Sequence, residues 1–189
     1  MDYRYFQLEL GRERTAQRSL ADHLAAGASA PLAVFAPLLG FASNTALVLL
    51  KPGDRTDVLG APGVVAGEAH ALSPTLRPTE VGPPLAGGIY VHNWFTIDGG
   101  SVDEFVRLSG EAWPDFEARF ETKIYGLFLA AESEADQAAG ARRLLLMTRY
   151  RDLGEWQTSR DPTSDAMAVF LRRRDLTRLS LARACVLMA

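Results

Sequence analysis

The order of strand-like and helix-like segments in the second half of the chain restricts its fold more than any other feature of the sequence. Short runs rich in aromatic and β-branched residues predict strands, and apolar residues spaced three and four apart predict helices. The segments are strand, helix, strand, strand, helix and strand, at residues 89–97, 101–120, 124–131, 143–150, 152–177 and 179–188. This order is typical of the ferredoxin-like unit. The second half therefore predicts a complete α+β layer structure.

The first helix of this half carries the clearest local signals. Ser101 followed by Glu104 has the capping-box spacing, which predicts that the helix begins there. Pro114 falls inside the apolar pattern and predicts a kink or a restart of the helix. The polar segment 132–140 suits a hairpin loop between the next two strands.

The first half repeats the same order more weakly. Its strand-like segments and its one clear helical segment lie at residues 3–10, 12–28, 32–42, 45–51 and 64–78, with only a short stretch at 54–59 where the second helix belongs. The Pro- and Gly-rich segment 83–88 separates the halves. We therefore predict an α+β protein with two tandem ferredoxin-like halves that arose by internal duplication. The predicted parts are a degenerate N-terminal half at 1–82, the connector 83–88 and a C-terminal half at 89–189.

The composition excludes several function classes. With 48% hydrophobic residues, 23% charged residues and a net charge of −3, the chain lacks the overall basic field that a nucleic acid or an anionic membrane requires. The single cysteine, Cys185, cannot form an intrachain disulfide, and neither a signal peptide nor a membrane-spanning apolar run is visible, so a cytoplasmic protein is expected. No nucleotide-binding loop, hydrolase motif or histidine pair at metal-ligand spacing occurs, and we expect no metal site.

Three short motifs of the second half occur together in a known family. They are Glu111-Ala112-Trp113-Pro114, Gly126-Leu127-Phe128 and Tyr150-Arg151-Asp152-Leu153-Gly154-Glu155-Trp156, followed by Asp161-Pro162. From Tyr90 to its end, the chain resembles the NIPSNAP family of the dimeric α+β barrel superfamily and, more distantly, antibiotic-biosynthesis-type monooxygenases. The resemblance implies that the two halves pack their sheets into one pseudo-dimeric barrel. It implies function less closely, because the superfamily includes cofactor-free oxygenases, isomerases, cyclases and haem enzymes.

The first strand of the second half holds the main candidate site. Strand alternation places Asn93 and Phe95 on one face and His92 on the other, so that Asn93 is a polar amide among apolar neighbours. An unpaired buried amide costs about 1–3 kcal/mol, so a partner is expected in the protein or in a ligand. Oxygenases of the superfamily carry an Asn on this strand and a Trp at the start of the second helix, and Asn93 and Trp156 match these positions. The alternative is that Asn93 bonds neighbouring backbone and Trp156 is ordinary core.

We expect catalysis from Asn93, His92 and Arg149. Asn93 could hydrogen-bond an enolate or bound oxygen, and the ordinary pKa of histidine, about 6.5, suits His92 to proton abstraction. Arg149 lies in an otherwise apolar strand and, if buried, needs a carboxylate or an anionic ligand. The expected substrate-binding residues are Trp156, Trp113, Phe95 and Tyr125. The pocket is expected between the second-half sheet and its helices, bordered by Asn93, Trp113, Arg149 and Trp156.

Other candidates have simpler structural readings. His92 could instead be a hydrogen-bonded barrel histidine, and Cys185 is interpreted as a packing residue rather than a nucleophile. The run from Arg172 to Arg174 is interpreted as a solvated helix edge, because consecutive helical residues point in different directions. The alternative is that this run binds a partner.

Together these features predict a cytosolic bacterial enzyme that acts on an aromatic or polyketide-like intermediate of specialised metabolism. The expected reaction is a cofactor-independent oxygenation, isomerisation or cyclisation. The alternatives are a non-enzymatic NIPSNAP-like ligand-binding or assembly protein and a haem protein ligated by His92 or His70. Haem is disfavoured because the related haem-degrading enzymes take their axial histidine from the second helix, and residues 166–172 contain none. The expected partner is a small molecule, and a homo-oligomer is left open.

Overall fold

A computed structural model describes residues 2–188, and its eight strands form one closed antiparallel barrel with the helices outside. The strands are β1 (Tyr3–Leu10), β2 (Ala33–Leu39), β3 (Thr45–Leu50), β4 (Val64–Pro74), β5 (Ile89–Asp98), β6 (Thr122–Ala130), β7 (Ala141–Tyr150) and β8 (Thr177–Leu187). The helices are α1 (Ala16–Ala25), α2 (Val102–Arg119), α3 (Glu134–Ala138), α4 (Leu153–Thr158) and α5 (Asp165–Arg174). Within the described residues, none of these helices combines the length and apolar character needed to cross a bilayer.

The strand order is the same in both halves. The first-half strands lie side by side as β4-β1-β3-β2 and the second-half strands as β8-β5-β7-β6, so that the first and third strands of each half are central. The pairs β2–β8 and β4–β6 join the halves and close the barrel, which leaves no free sheet edge. The predicted fold, an α+β barrel built from tandem ferredoxin-like halves, is confirmed.

Alternation along the strands divides the interior into three apolar cores. One face of every strand points into the barrel, where the largest side chains are aromatic, including Tyr3, Tyr5, Phe35, Tyr90 and Phe128. The other face of the first-half sheet packs against α1. The other face of the second-half sheet packs against α2 and α5, and this third core surrounds the candidate site.

The first half lacks its second helix. The residues that connect β3 to β4, 51–63, form turns and bends instead. Pro52, Gly53, Gly60, Pro62 and Gly63 fall in this segment and disfavour a helix. As a consequence, two long helices, α2 and α5, cover the second-half sheet, whereas α1 alone covers the first-half sheet.

The predicted start of α2 is confirmed, but the predicted capping box is not formed. Ser101 ends a short 3-10 turn, Gly99–Ser101, and its side chain makes no capping hydrogen bond. Glu104 binds Arg107 instead, with two hydrogen bonds of 2.7 and 2.8 Å. The helix also runs without interruption through Pro114, since Trp113 and Phe116 on either side of the proline are buried against the sheet.

The loop between β6 and β7 contains a short helix that the sequence did not predict. In α3, Ser133 and Asp136 form a reciprocal capping box. Asp136 also binds Arg143 of β7 at 3.0 Å, which fixes the loop to the end of the barrel.

Candidate functional site

A cavity of about 240 Å³ lies between the second-half sheet and helices α2 and α5. We call it the helix-side cavity. Its apolar wall includes Val91, Phe95, Phe116, Ile124, Leu146, Met167, Phe170 and Leu171. Its polar groups are Asn93, Thr148, Tyr150, Ser159, Arg160, Arg173, Arg174, Thr177 and Ser180. Ligand cavities typically combine a mainly apolar wall with a few polar groups, and this cavity has that composition, although its volume is below the usual range.

Asn93 stands at the wall of this cavity with its amide held in one orientation. Its Oδ1 accepts a hydrogen bond of 3.0 Å from the Ser180 hydroxyl on the neighbouring strand β8. The Asn93 amide nitrogen makes no hydrogen bond to any other part of residues 2–188. Asn93 therefore offers an N–H donor to a molecule in the helix-side cavity.

Arg173 is the buried charged group of the same cavity. Only 8% of the residue is exposed, and its guanidinium lies 4.7 to 5.0 Å from the ring centres of Phe95, Phe105 and Phe170. Its Nη1 donates to the Ser109 hydroxyl at 3.0 Å. Burial lowers the pKa of Arg173 to about 10, so the group remains cationic at neutral pH. The interpretation of this residue as part of a solvated edge was wrong.

Tyr150 forms the polar end of the cavity next to Arg173. The residue is 6% exposed, and burial raises the pKa of its phenol above the ordinary value. The positive charges of Arg160 and Arg173 and the hydroxyls of Ser159 and Thr148 act in the opposite direction and lower that pKa. This end of the cavity therefore gathers hydroxyl and guanidinium donors.

His92 lies on the opposite face of β5, inside the barrel. Its Nδ1 is 3.0 Å from the Tyr5 hydroxyl and its Nε2 is 3.5 Å from the Cys185 sulfur, while that thiol donates to the Tyr90 carbonyl at 3.5 Å. Burial lowers the pKa of His92 to about 3, so the imidazole is neutral at neutral pH. His92 cannot act as a base on a substrate in the helix-side cavity, because the sheet separates the two. The structure therefore places His92 in the position of a hydrogen-bonded barrel histidine.

Arg149 and Tyr125 are also on the barrel side of the sheet, where Arg149 binds the connector and Tyr125 binds the residue just before it. The Arg149 Nε donates to the Gly87 carbonyl at 2.9 Å, and the Tyr125 hydroxyl donates to the Gly82 carbonyl at 2.9 Å. Arg149 follows Leu145 and Met147 on the barrel face, whereas Asn93 faces the helices. The expectation that Asn93 and Arg149 border one pocket was therefore wrong.

The two candidate tryptophans lie on the helix side, outside the wall of the helix-side cavity. Trp113 is 2% exposed and packs under the guanidinium of Arg77. Trp156 lines a smaller neighbouring cavity of about 120 Å³, which shares Val91 with the helix-side cavity. The indole nitrogens of both residues are buried without a hydrogen-bond partner among residues 2–188. Of the seven predicted site residues, Asn93 and Phe95 are the two that meet in the helix-side cavity.

Cys185 is expected to be unreactive in the folded protein. The residue is fully buried, and burial raises the pKa of its thiol well above the usual range, so that the reactive thiolate is scarce. We expect no measurable reaction with dithionitrobenzoate in native buffer at pH 8 and one thiol per chain in guanidinium chloride. Stoichiometric labelling of the folded protein would contradict this assignment.

The histidines of the described residues are not arranged for metal or haem ligation. Within residues 2–188, no group of three His, Cys, Asp or Glu side chains is arranged to hold a metal ion. Both ring nitrogens of His92 already have partners, so ligation of haem iron would require breaking one of these contacts. His70 is half-buried, stacks on Tyr5, contacts the tilted ring of Trp94, and has its Nε2 at 3.7 Å from Glu68.

Comparison with known proteins supports the fold but does not establish a family or an activity. No protein-family model matches the chain, and a search of curated proteins found no match. An anthrone oxidase-like protein of known structure superposes with a TM-score of 0.62 at 12% identity, over 100% of this chain and 92% of that one. A ferredoxin-fold protein related to antibiotic biosynthesis monooxygenases, from Listeria monocytogenes, superposes with a TM-score of 0.50 at 10% identity, over 100% and 96% of the chains.

The haem-degrading enzyme from Listeria monocytogenes is similar at the same level. It superposes with a TM-score of 0.54 at 8% identity, over 97% of this chain and 98% of that one. Identities this low establish a shared architecture rather than a shared activity. The chain thus has the fold of antibiotic-biosynthesis-monooxygenase-like α+β barrel proteins, and NIPSNAP membership remains a prediction.

Proposed function

We propose that the protein is a cofactor-independent monooxygenase that binds an aromatic, polyketide-like small molecule in the helix-side cavity. The observation that carries the proposal is the Asn93 amide, which Ser180 orients and which stands in a wall otherwise rich in phenylalanine. The architecture shared with an anthrone oxidase-like protein supports the choice of oxygenation over isomerisation or cyclisation.

The chemistry that fits this cavity starts from the substrate anion. A methylene group that is conjugated with a ketone through aromatic rings, as in anthrone, loses a proton to water and leaves an enolate, whose charge rests on oxygen. The enolate carbon transfers its electrons to dioxygen and forms a C–O bond, and the resulting hydroperoxide loses water to leave a second carbonyl. The net change is CH₂ plus O₂ to C=O plus H₂O, so the substrate itself supplies the electrons. The Asn93 amide would donate to the enolate or peroxide oxygen, where negative charge develops.

Oxygen uptake with anthrone as the probe substrate tests this proposal. The wild-type protein is expected to consume dioxygen and form the quinone faster than the spontaneous reaction. Asn93→Ala removes one hydrogen bond to an anionic oxygen and should lower the rate at least about tenfold. Ser180→Ala leaves the amide in place without its orienting hydroxyl and should cause a smaller loss.

Asn44→Ala is the matched control for this experiment. Asn44 lies in the first half and donates from Nδ2 to the Leu10 carbonyl at 2.9 Å, remote from the helix-side cavity. The control should retain the wild-type rate in protein that remains folded. Wild-type uptake at the spontaneous rate, or an unchanged rate in Asn93→Ala, would refute the proposal.

A second candidate is a NIPSNAP-like ligand-binding or assembly protein without chemistry. One observation favours it: within the described residues, no His, Asp or Glu lines the helix-side cavity, so no ordinary general base is present. This alternative predicts that aromatic molecules bind without oxygen uptake and without product formation.

A further inference from the structure

Arg173 is a buried cation for which the protein supplies no counter-charge. Among residues 2–188, no carboxylate forms an ion pair with its guanidinium. Its partners are the Ser109 hydroxyl and the faces of three phenylalanine rings, which offset only part of the cost of removing a charge from water. Buried charges are normally paired, because an unpaired one destabilises the folded protein. An anion bound beside this guanidinium would therefore stabilise the buried charge.

Several other arginines of the second half have an acidic partner. Arg172 binds Glu111, Arg178 binds Asp98 and Arg143 binds Asp136. Arg160 and Arg174, which line the helix-side cavity with Arg173, form no ion pair within the described part of the chain. Three arginines thus meet at a cavity without a single acidic lining residue, in a protein whose net charge is −3. This local excess of positive charge favours an anionic guest.

The other hydrogen-bond donors and the aromatic rings of the helix-side cavity indicate the shape of the anion that would fit there. Asn93, Thr148 and Tyr150 add neutral hydrogen-bond donors to the same wall, and Tyr150 is close enough to Arg173 for each charge to affect the pKa of the other group. Phe95, Phe116 and Phe170 present aromatic surface to the cavity. The volume of about 240 Å³ limits the ligand to a small molecule, and the three rings favour a flat aromatic one.

We propose that the helix-side cavity selects aromatic molecules that carry an anionic oxygen, and that Arg173 is the residue that binds this oxygen. The inference rests on the proposed function, because it names the substrate class of the same cavity. The anionic oxygen can belong to a carboxylate or to a phenolate or enolate, since a guanidinium donates to each of these in the same way. In the oxygenase reaction, Arg173 would favour the substrate enolate over the neutral ketone and so compensate for the missing general base.

Calorimetric titration with three naphthalene probes tests the inference. The probes are a naphthalene carboxylate, a nitronaphtholate and the neutral naphthalene carboxamide, which share one ring system. The wild-type protein is expected to bind at least one of the two anions about tenfold or more tightly than the carboxamide, as a charged hydrogen bond requires. The anion that binds more tightly identifies the source of the oxygen.

Arg173→Met and Arg172→Met form a matched pair of variants. Each removes one positive charge from the same helix turn, but Arg172 lies outside the cavity and pairs with Glu111. Arg173→Met should lose the preference for anions and keep its affinity for the carboxamide, whereas Arg172→Met should retain the preference. Arg173→Lys keeps the charge and should retain part of the preference, which provides a folded comparison if the methionine variant does not fold.

Three results would overturn the inference in distinguishable ways. Equal binding of anions and carboxamide by the wild-type protein would refute anion selection and leave the proposed function standing. An anion preference that survives in Arg173→Met would refute the role of Arg173. If the wild-type protein binds none of the three probes, both the inference and the proposed aromatic site are wrong.

Discussion

Gly88→Ala is expected to destabilise the protein by roughly 3 kcal/mol, because two separate costs meet at this position. Gly88 has a φ of +73°, a conformation that favours glycine. A Cβ at Gly88 would also collide with the backbone carbonyl oxygen of Tyr150. Tyr150 is the last residue of β7, but it is paired with strands on both sides, so its backbone cannot move aside cheaply. The change should lower the urea midpoint without changing the slope of the transition.

Gly87→Ala is the matched control, since Gly87 has the same φ of +73° but open space around it. A Cβ at Gly87 would meet only the Arg149 Nη2, at 3.9 Å. The control should therefore show the conformational cost alone, about 1–2 kcal/mol. Equal destabilisation by the two substitutions would show that the contact with Tyr150 contributes nothing. Because Tyr150 also closes the polar end of the helix-side cavity, Gly88→Ala should weaken ligand binding as well.

The faces of β5 were predictable because strand alternation is a local property. Asn93 and His92 are adjacent in sequence, so they must point to opposite faces of the sheet whatever surrounds them. β5 has no irregularity between these residues, and its pairing with β7 and β8 is continuous there. This local rule was sufficient to place Asn93 and His92 on opposite faces, but not to decide which of them faces the barrel.

The composition of the cavity depends on strand register. The sequence specifies register less directly than it specifies the alternation of faces along one strand. Asn93 pairs with Leu146, so the even-numbered residues of β7, including Thr148 and Tyr150, share its face. Arg149 lies on the other face for the same reason. A shift of one residue would exchange the two sets, and nothing within a single strand decides between them.

Arg173 was missed for a different reason. Its charge and its place in a run of three arginines suggested solvent exposure, but Ala166 and Phe170 are seven and three residues before it and lie on the same helix face. The helical period alone would have placed Arg173 on the buried side of α5. A cationic residue at a position where the helical period predicts an apolar one is therefore a candidate for a binding site.

Acidification from pH 7 to pH 5 is expected to destabilise the protein by about 2 kcal/mol through His92. Burial lowers the pKa of His92 to about 3, whereas an unfolded chain has the ordinary value of about 6.5. Between these two values the unfolded state binds a proton that the folded state does not, so stability is full above pH 6.5 and falls as the pH decreases. His70, whose pKa is also lowered by burial and by Arg143, acts in the same direction.

Urea unfolding of His92→Gln at both pH values tests this account. Glutamine can still hydrogen-bond Tyr5 but does not titrate, so the variant should lose most of the decrease between pH 7 and pH 5. His23→Gln is the control, because His23 is exposed on α1 and its removal should leave the decrease unchanged. If His92→Gln loses stability on acidification as steeply as the wild-type protein, the buried imidazole is not the group that responds. The decrease would then have to come from His70 or from the carboxylates, and the neutral Tyr5–His92–Cys185 chain would have no part in the acid sensitivity of the barrel.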